Sequence, residues 1–234
     1  MRIELRNVAK SYGPVIALRG VTLDIESGAS VALIGPNGSG KSTLIHALMG
    51  MVRTEGTIRL DGLDPFRHRN LLAPQWAYVP QMLPQFNFTV GEMIYAIRLI
   101  RNLAPGRIEY CASRLWLDLA PILEKPVKEL SGGTKQKLSL ALALAPDARL
   151  LVLDEPTASL DGETRDRFYE MIEERANGRT LILSSHRLEE VRQLVTQVVV
   201  LNSGAVDRHE TVEEFFAKGS GSMLEGKEAS DEAA

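Results

Sequence analysis

The stretch at residues 35–42 constrains the fold of this chain more than any other feature of its sequence. It reads Gly-Pro-Asn-Gly-Ser-Gly-Lys-Ser, which fits the pattern G-x-x-x-x-G-K-[ST]. A short apolar run at residues 30–34 precedes it, and apolar residues at helical spacing follow it over residues 41–49. The order of strand, glycine loop and helix is the context in which this pattern binds phosphate. We therefore predict an α/β fold with a phosphate loop between a buried strand and a helix.

Each residue type in this loop has a physical role in holding a phosphate group. The glycines let the backbone wrap a phosphate without side-chain clashes, and the N–H groups at the start of the helix point inward. Lys41 supplies a positive charge for the β- and γ-phosphates, and the Ser42 hydroxyl can bind Mg²⁺. A glycine-rich turn without a ligand is the alternative, and the strand–loop–helix context disfavours it. The predicted nucleotide-binding residues of the loop are Gly35, Pro36, Asn37, Gly38, Ser39, Gly40, Lys41, Ser42 and Thr43.

A second apolar strand ends in two carboxylates. Residues 150–154 read Leu-Leu-Val-Leu-Asp, and Glu155 follows directly. Such a continuous apolar run is typical of a parallel strand that is covered on both faces. Asp154 at its carboxyl end suits a water-mediated contact to Mg²⁺ beside the phosphate loop, and Glu155 can face the water that attacks the γ-phosphate. An Asp-Glu pair alone is more often a solvated turn, but the phosphate loop reverses that preference.

The remaining periodicities indicate where the other elements lie. Residues 2–5 and 21–25 alternate apolar and polar side chains, which predicts half-buried antiparallel strands. The pattern is mainly helical between about 85 and 145, with breaks at Pro and Gly residues. Residues 165–174 are predicted to form a crossover helix between two buried strands. Shorter apolar runs predict further strands at residues 57–60, 76–79 and 180–183.

Charge, cysteine content and hydropathy argue against several classes of protein. The chain carries 27 Lys and Arg against 30 Asp and Glu, a net charge of −3. Residues 219–234, which are predicted to be a disordered acidic tail, account for the whole net charge of −3. The rest of the chain is therefore neutral, which argues against a nucleic-acid partner, since such a partner would need a basic face. Cys111 is the only cysteine, which excludes an intramolecular disulfide and fits a reducing compartment. No apolar run approaches the ~20 residues of a membrane helix.

Residues 130–136, Leu-Ser-Gly-Gly-Thr-Lys-Gln, resemble the signature motif of the ATP-binding-cassette (ABC) ATPases. The motif precedes the carboxylate strand, as it does in that family, and the resemblance covers roughly residues 2 to 216. Taken singly, the other matching residues have plainer explanations: a surface aromatic, a polar strand end and a buried structural histidine. Their occurrence in family order disfavours those explanations. They are Tyr12 for the adenine-stacking aromatic, Gln81 for the Q-loop, Ser159-Leu160-Asp161 for the D-loop and His186 for the switch histidine.

The resemblance implies both a fold and a set of site residues. The implied fold is a P-loop NTPase core with a mixed sheet, an N-terminal antiparallel β subdomain and a helical insertion that carries the signature, within residues 1–218. The implied catalytic residues are Glu155 as general base, His186 to orient it, Gln81 and Lys41. The implied Mg²⁺ ligands are Ser42, Gln81 and Asp154. The ATP-binding residues implied outside the loop are Tyr12, Ser131, Gly132, Gly133 and Asp161.

In that family the signature turn binds the γ-phosphate of a partner subunit. The resemblance therefore implies two chains, identical or related, that face head to tail around two ATP molecules. It implies the ATP-hydrolysing subunit of a transporter, bound to a separate integral membrane permease at the cytoplasmic face, and residues 134–137 favour an exporter over an importer. The alternative is a soluble ABC ATPase without a permease, such as one that serves iron–sulfur cluster assembly. A scaffold that binds ATP without hydrolysing it is opposed by Glu155 and His186.

The segment that follows Gln81 is unusually apolar for a stretch that contains Pro84. In the family this neighbourhood lines the groove that receives the permease. Leu83, Phe86 and Phe88 are accordingly either docking residues or the core of the helical insertion, and the sequence leaves both possibilities open.

Overall fold

A computed structural model describes residues 1–84, 86–176 and 178–219 of the chain. These residues contain nine β-strands in two sheets and eight α-helices. The strands are β1 (Ile3–Tyr12), β2 (Val15–Ile25), β3 (Ser30–Ile34), β4 (Glu55–Leu60), β5 (Trp76–Val79), β6 (Leu150–Asp154), β7 (Thr180–Ser184), β8 (Gln197–Asn202) and β9 (Ala205–Thr211). The helices are α1 (Lys41–Leu48), α2 (Arg69–Leu72), α3 (Val90–Ile100), α4 (Arg107–Arg114), α5 (Gly132–Leu144), α6 (Gly162–Ala176), α7 (Leu188–Leu194) and α8 (Val212–Ala217). Within this described part, no helix combines the length and the apolar character needed to cross a membrane.

The first sheet is antiparallel and has the strand order β2–β1–β4. Ile3 lies opposite Ile25 on one side and Leu60 on the other, and all three residues are buried. The alternation that predicted two half-buried strands is therefore confirmed. The strands are longer than predicted, because register shifts after Leu5 interrupt the alternation while β1 continues to Tyr12.

The second sheet has the strand order β5–β6–β7–β3–β8–β9. Its first five strands run parallel, and the edge strand β9 is antiparallel to β8. β6 and β7 are buried along their whole length, as their continuous apolar sequences predict. α6 crosses from β6 to β7. The carboxyl ends of β3, β5, β6 and β7 consequently meet at one edge, called here the carboxyl edge, where parallel α/β sheets bind their ligands.

The segment between β5 and β6 holds α3, α4 and α5. The Thr89 side chain opens α3 in a capping box with Glu92, and Ser131 caps α5. Apolar residues of this segment join one face of the second sheet in a single core cluster. The fold class is confirmed: an α/β core with a mixed sheet, an antiparallel N-terminal sheet and a helical insertion. The domain bounds stay predictions, and the predicted tail lies outside the described residues except for Gly219.

Candidate functional site

The phosphate loop joins β3 to α1, and its path requires glycine. A Cβ at Gly35 would collide with the backbone oxygen of Leu201 on β8, and a Cβ at Gly40 would lie 2.6 Å from the backbone oxygen of Ala17 on β2. Gly38 and Gly40 have φ angles of 80° and 104°, which other residue types rarely adopt. The loop is therefore held tightly between strands of the two sheets.

Lys41 is the first residue of α1, and its side chain lies back against the loop. Its Nζ atom donates hydrogen bonds to the carbonyl oxygens of Gly35, at 2.6 Å, and Pro36, at 3.1 Å. The residue is only 8% exposed. A positive charge thus sits beside the N–H groups that begin the helix, and both features favour an anion.

Asp154 ends β6 beside the phosphate loop. Burial raises the pKa of its carboxyl group, and the neighbouring hydroxyl groups of Ser184 and Ser42 hold that rise back. Two of the three predicted Mg²⁺ ligands, Ser42 and Asp154, are therefore neighbours. The described part of the chain has no group of three or more His, Cys, Asp or Glu side chains suited to a metal. The Ser42 hydroxyl and the Asp154 carboxylate are oxygen donors, the ligand type that Mg²⁺ takes beside water and substrate phosphates.

Glu155 and His186 form a pair at the carboxyl edge. Nε2 of His186 lies 3.2 Å from Oε1 of Glu155, and the backbone N–H of His186 donates to Oε2 at 3.4 Å. Burial raises the pKa of Glu155 to about 7, which is the range that suits a general base at neutral pH. The His186 side chain is 45% exposed, so it is not a buried structural histidine. The structure brings the predicted base and its predicted orienting residue together.

Gln81 reaches the same edge from β5. This strand pairs in parallel with β6, and Val79 lies opposite Leu153. When this register is continued, Gln81 lies level with Glu155, two residues after the end of β5. Its side chain is exposed. The third predicted Mg²⁺ ligand thus flanks the Asp154–Glu155 pair, while its role stays a prediction.

Tyr12 is the last residue of β1, at the turn into β2. Its side chain is 48% exposed, and Nζ of Lys10 lies 5.0 Å from the centre of its ring. Further along, β2 contacts the phosphate loop through Ala17. The hairpin therefore presents an exposed aromatic ring at the end of β1 while β2 packs on the phosphate loop, and the stacking of Tyr12 on adenine stays a prediction.

The signature turn, residues 131–133, is exposed at the start of α5. The Ser131 hydroxyl accepts a hydrogen bond from the Thr134 N–H at 3.2 Å and lies 2.8 Å from the Thr134 hydroxyl. A Cβ at Gly133 would come 3.0 Å from the backbone oxygen of Ser159. The turn therefore packs on the predicted D-loop, residues 159–161, rather than on the phosphate loop of its own chain.

Asp161 caps α6. Its carboxylate accepts hydrogen bonds from the Thr164 N–H at 2.8 Å and the Thr164 hydroxyl at 3.0 Å, and Nζ of Lys137 lies 3.4 Å away. The bond from the Thr164 backbone is the largest cause that lowers the pKa of Asp161 to about 2. The Asp161 carboxylate is thus already engaged within its own chain. Its contact with a nucleotide stays a prediction.

The sequence assigns no separate role to two buried polar residues beside the site, Gln136 of the signature motif and Glu190. Gln136 on α5 donates a hydrogen bond from Nε2 to the Pro156 carbonyl oxygen at 2.7 Å, which links the signature helix to the residue after Glu155. Glu190 on α7 is 1% exposed. A helical projection of α7 could have found it, because Glu190 shares a face with the buried residues Val191 and Leu194.

Comparison with known proteins gives the same family as the signature. The family model for the ABC transporter matches residues 18–158. The chain is 36% identical over 217 residues to Nod factor export ATP-binding protein I of Rhizobium sp. (strain N33), covering 86% of this chain and 68% of that protein. It is 32% identical over 215 residues to the high-affinity zinc uptake system ATP-binding protein ZnuC of Bacillus subtilis (strain 168), covering 86% and 91%. It also matches human ATP-binding cassette sub-family A member 10, at 36% identity over 86% of this chain, but spans only 14% of that protein.

Solved structures agree with the sequence matches. An ATP-binding subunit of an ABC transporter superposes with a TM-score of 0.81 at 26% identity, covering 94% of each chain. A dimeric bacterial ABC transporter cassette, MJ0796, superposes with a TM-score of 0.80 at 25% identity, covering 90% of this chain and 98% of that one. With more than half of its length matched by the family model, and with the phosphate loop, the carboxylate pair and the signature turn in place, the chain belongs to the ABC transporter family of ATPases.

Proposed function

We propose that this chain hydrolyses ATP as half of a cassette dimer and powers transport by a separate membrane permease at the cytoplasmic face. The observation that carries the proposal is the Glu155–His186 pair, which lies at the carboxyl edge next to Asp154 and the phosphate loop. In-line phosphoryl transfer depends on positioning and charge neutralisation more than on covalent chemistry. A carboxylate that is only 12% exposed, has a raised pKa and lies beside a histidine meets the requirement for a base that accepts a proton from water.

Each remaining site residue has a role in this proposal. Lys41 faces the β- and γ-phosphates, and Tyr12 stacks on the adenine ring. Ser42, Asp154 and Gln81 hold Mg²⁺, which neutralises phosphate charge when it is bound. The neighbouring hydroxyl and carboxylate of Ser42 and Asp154 are oxygen donors of the kind that this ion prefers.

The exposed signature turn supports a dimer. Ser131 and Gly132 are exposed, and their turn packs on the D-loop of its own chain. The start of α5 offers a hydroxyl group and backbone N–H groups at a helix N-terminus, which suits an anion. We infer that Ser131, Gly132 and Gly133 bind the γ-phosphate held by a second copy of the chain or by a related subunit, with Asp161 at the same interface.

An apolar stripe on the helical insertion supports a permease partner. Tyr95, Leu99 and Ile100 on α3 are 57%, 60% and 76% exposed. Phe88 is 38% exposed and stacks on Phe86. The stripe lies on the insertion that directly follows Gln81, so a protein bound there could respond to the nucleotide. We propose that it receives the permease, and that the motif at residues 134–137 favours export. The soluble alternative is not favoured, because the named relatives are transporter components.

The apolar residues that follow Gln81 divide between the core of the helical insertion and its exposed surface. Leu83 and Phe86 are partly buried and pack against the larger core cluster, whereas Phe88 is partly exposed.

The exposed stripe on α3 can be tested by substitution. Leu99→Glu should keep the fold and the basal ATPase rate but abolish co-purification with the permease from a detergent extract. Tyr110→Glu, at a residue 49% exposed on α4, is the matched control. Equal loss of association in both variants would place the docking surface elsewhere.

The ATPase itself is tested with the purified chain, Mg²⁺ and ATP. Phosphate release should rise more steeply than in proportion to chain concentration, because the active species is a dimer. Lys41→Ala should lose release together with nucleotide affinity, measured by calorimetry with a non-hydrolysable analogue. Absence of hydrolysis at all concentrations, in a chain that binds ATP and dimerises, contradicts the proposed ATPase activity.

A further inference from the structure

Glu190 is a buried carboxylate to which the proposed mechanism assigns no role. Its Oε1 atom accepts hydrogen bonds from the Thr157 hydroxyl and, at 3.4 Å, from the Tyr169 hydroxyl. Burial raises the pKa of this carboxyl group, and the neighbouring Ser185 hydroxyl holds that rise back. Its Oε2 atom has no hydrogen-bond partner among the described residues. Burial of a carboxylate with one oxygen unpaired lowers stability, so stability alone does not explain why an acid occupies this position.

The partners of Glu190 belong to the two segments that carry the Glu155–His186 pair. Thr157 lies two residues after Glu155, and Ser185 directly precedes His186. One buried carboxylate on α7 therefore forms a hydrogen bond with the segment after Glu155 and neighbours the residue that precedes His186. The arrangement ties the end of β6 to the end of β7 beyond the point where their ladder hydrogen bonds stop.

The backbone around Glu155 needs such support. Glu155 has a φ of 48°, in the left-handed region that residues other than glycine occupy only at a cost in free energy. Its N–H donates to the Ser184 carbonyl oxygen at 2.9 Å, and Gln136 donates to the Pro156 carbonyl oxygen. The Thr157–Glu190 hydrogen bond adds a third attachment, from α7, to the segment of residues 155–157.

We propose that Glu190 is a positioning residue of the hydrolysis site, which holds Glu155 against His186 by anchoring Thr157 and Ser185. The inference rests on the proposed ATPase function. It assigns no contact between Glu190 and the nucleotide. It predicts that loss of the anchor misplaces the base while the phosphate loop, which is built from other strands, still binds ATP.

Substitutions on both sides of the hydrogen bond test the proposal in the purified full chain. Thr157→Val removes the hydroxyl donor at nearly constant volume, and Glu190→Leu removes the acceptor. Each should lower kcat by about 10- to 100-fold while KM for ATP stays within about twofold. The double variant should lose no more than either single variant, because both remove the same anchor. Thr157→Ser and Glu190→Gln retain a donor and an acceptor, and they should restore most of kcat.

A second buried glutamate provides the matched control. Glu210 on β9 is 8% exposed and pairs with Arg208 and Lys218, outside the Glu155 and His186 segments. Glu210→Leu should leave kcat unchanged even if it lowers the melting temperature. If Glu190→Leu does not fold, Thr157→Val decides the question. If the wild-type chain hydrolyses ATP and a folded Thr157→Val variant keeps the wild-type kcat, this proposal is overturned while the proposed function stands. If the wild-type chain is inactive, the proposed function itself is contradicted.

Discussion

The carboxyl edge of the second sheet and the signature turn both carry residues that we propose to contact phosphate, but the two regions are assembled in different ways. At the edge, buried parallel strands fix Asp154 and Glu155, and Glu155 is already paired with His186 of the same chain. The signature turn is exposed, and its contacts run to Thr134 and Ser159. The edge thus brings its predicted residues together within one chain, while the turn offers donors for which we propose a phosphate from another chain.

The two regions are nevertheless physically linked. Gln136 lies on the first turns of α5, the helix that the signature turn opens, and it is 5% exposed. Its hydrogen bond to the Pro156 carbonyl oxygen attaches that helix to the segment that carries the base. If the signature turn binds a partner's phosphate as proposed, a shift of the turn can reach Glu155 through this single buried contact.

Loss of the base at the carboxyl edge should have the largest effect. Glu155→Gln keeps the shape of the side chain but removes its ability to accept a proton, so kcat should fall by about 10²–10⁴-fold. ATP affinity should stay close to that of the wild type, because the phosphate loop is untouched. With Mg²⁺ and ATP the variant should accumulate as a dimer in size-exclusion chromatography.

Glu189→Gln is the control for that experiment, since Glu189 is exposed near the site on the same helix as Glu190. It should hydrolyse ATP at the wild-type rate. Wild-type turnover in Glu155→Gln would remove Glu155 from the role of general base. A strictly monomeric Glu155→Gln chain under saturating ATP would show that the signature turn needs more than a second chain, such as the permease, to engage phosphate.

The difference between the two regions can be tested by mixing two inactive chains. Lys41→Ala damages the phosphate loop, and Ser131→Arg fills the signature turn with a bulky charge. Each variant alone should be inactive, although Ser131→Arg should still bind ATP. An equal mixture should recover about one quarter of the wild-type rate, because half of randomly paired dimers hold one intact composite site out of two.

Ser113→Arg provides the matched control for the inserted charge, since Ser113 is an exposed serine elsewhere on the helical insertion. It should bind and hydrolyse ATP normally. If the mixture shows no recovery while heterodimers form, the phosphate loop and the signature turn do not combine across chains. Failure of a folded Ser131→Arg variant to bind ATP would instead place both half-sites in one chain.

The local sequence predicts the phosphate loop, Asp154 and Glu155 because each directly joins a buried strand. Their positions follow from chain direction and strand burial, which a few neighbouring residues determine. Glu190 was missed because it stands beside the exposed Glu189 in a short polar stretch, and only a helical projection of α7 places it on the face of Val191 and Leu194. Similarly, the full length of β1 depends on register shifts against its neighbours, which the one-dimensional alternation does not record.

The smallest expected effect concerns stability at the carboxyl edge as a function of pH. Burial raises the pKa of Glu155 from an ordinary 4.5 to about 7. Between these values the folded chain binds this proton more tightly than the unfolded chain, so the free energy of unfolding falls as pH rises from 4.5 towards 7. The decrease in the free energy of unfolding is complete above pH 7 and amounts to at most about 3 kcal/mol.

Glu155→Gln removes this titration, so its stability relative to the wild type should increase between pH 5 and pH 8. Urea midpoints measured without nucleotide and with a chelator report the difference, and any pH-independent effect of the amide cancels between the two pH values. Glu174→Gln is the control of opposite sign, because the Arg114 hydrogen bond lowers the pKa of Glu174. Its contribution is fully present above pH 4.5, so the difference between this variant and the wild type should stay flat over the same range. A flat difference for Glu155→Gln as well would mean that Glu155 is solvated like a surface acid, and that the carboxyl edge shares the openness of the signature turn.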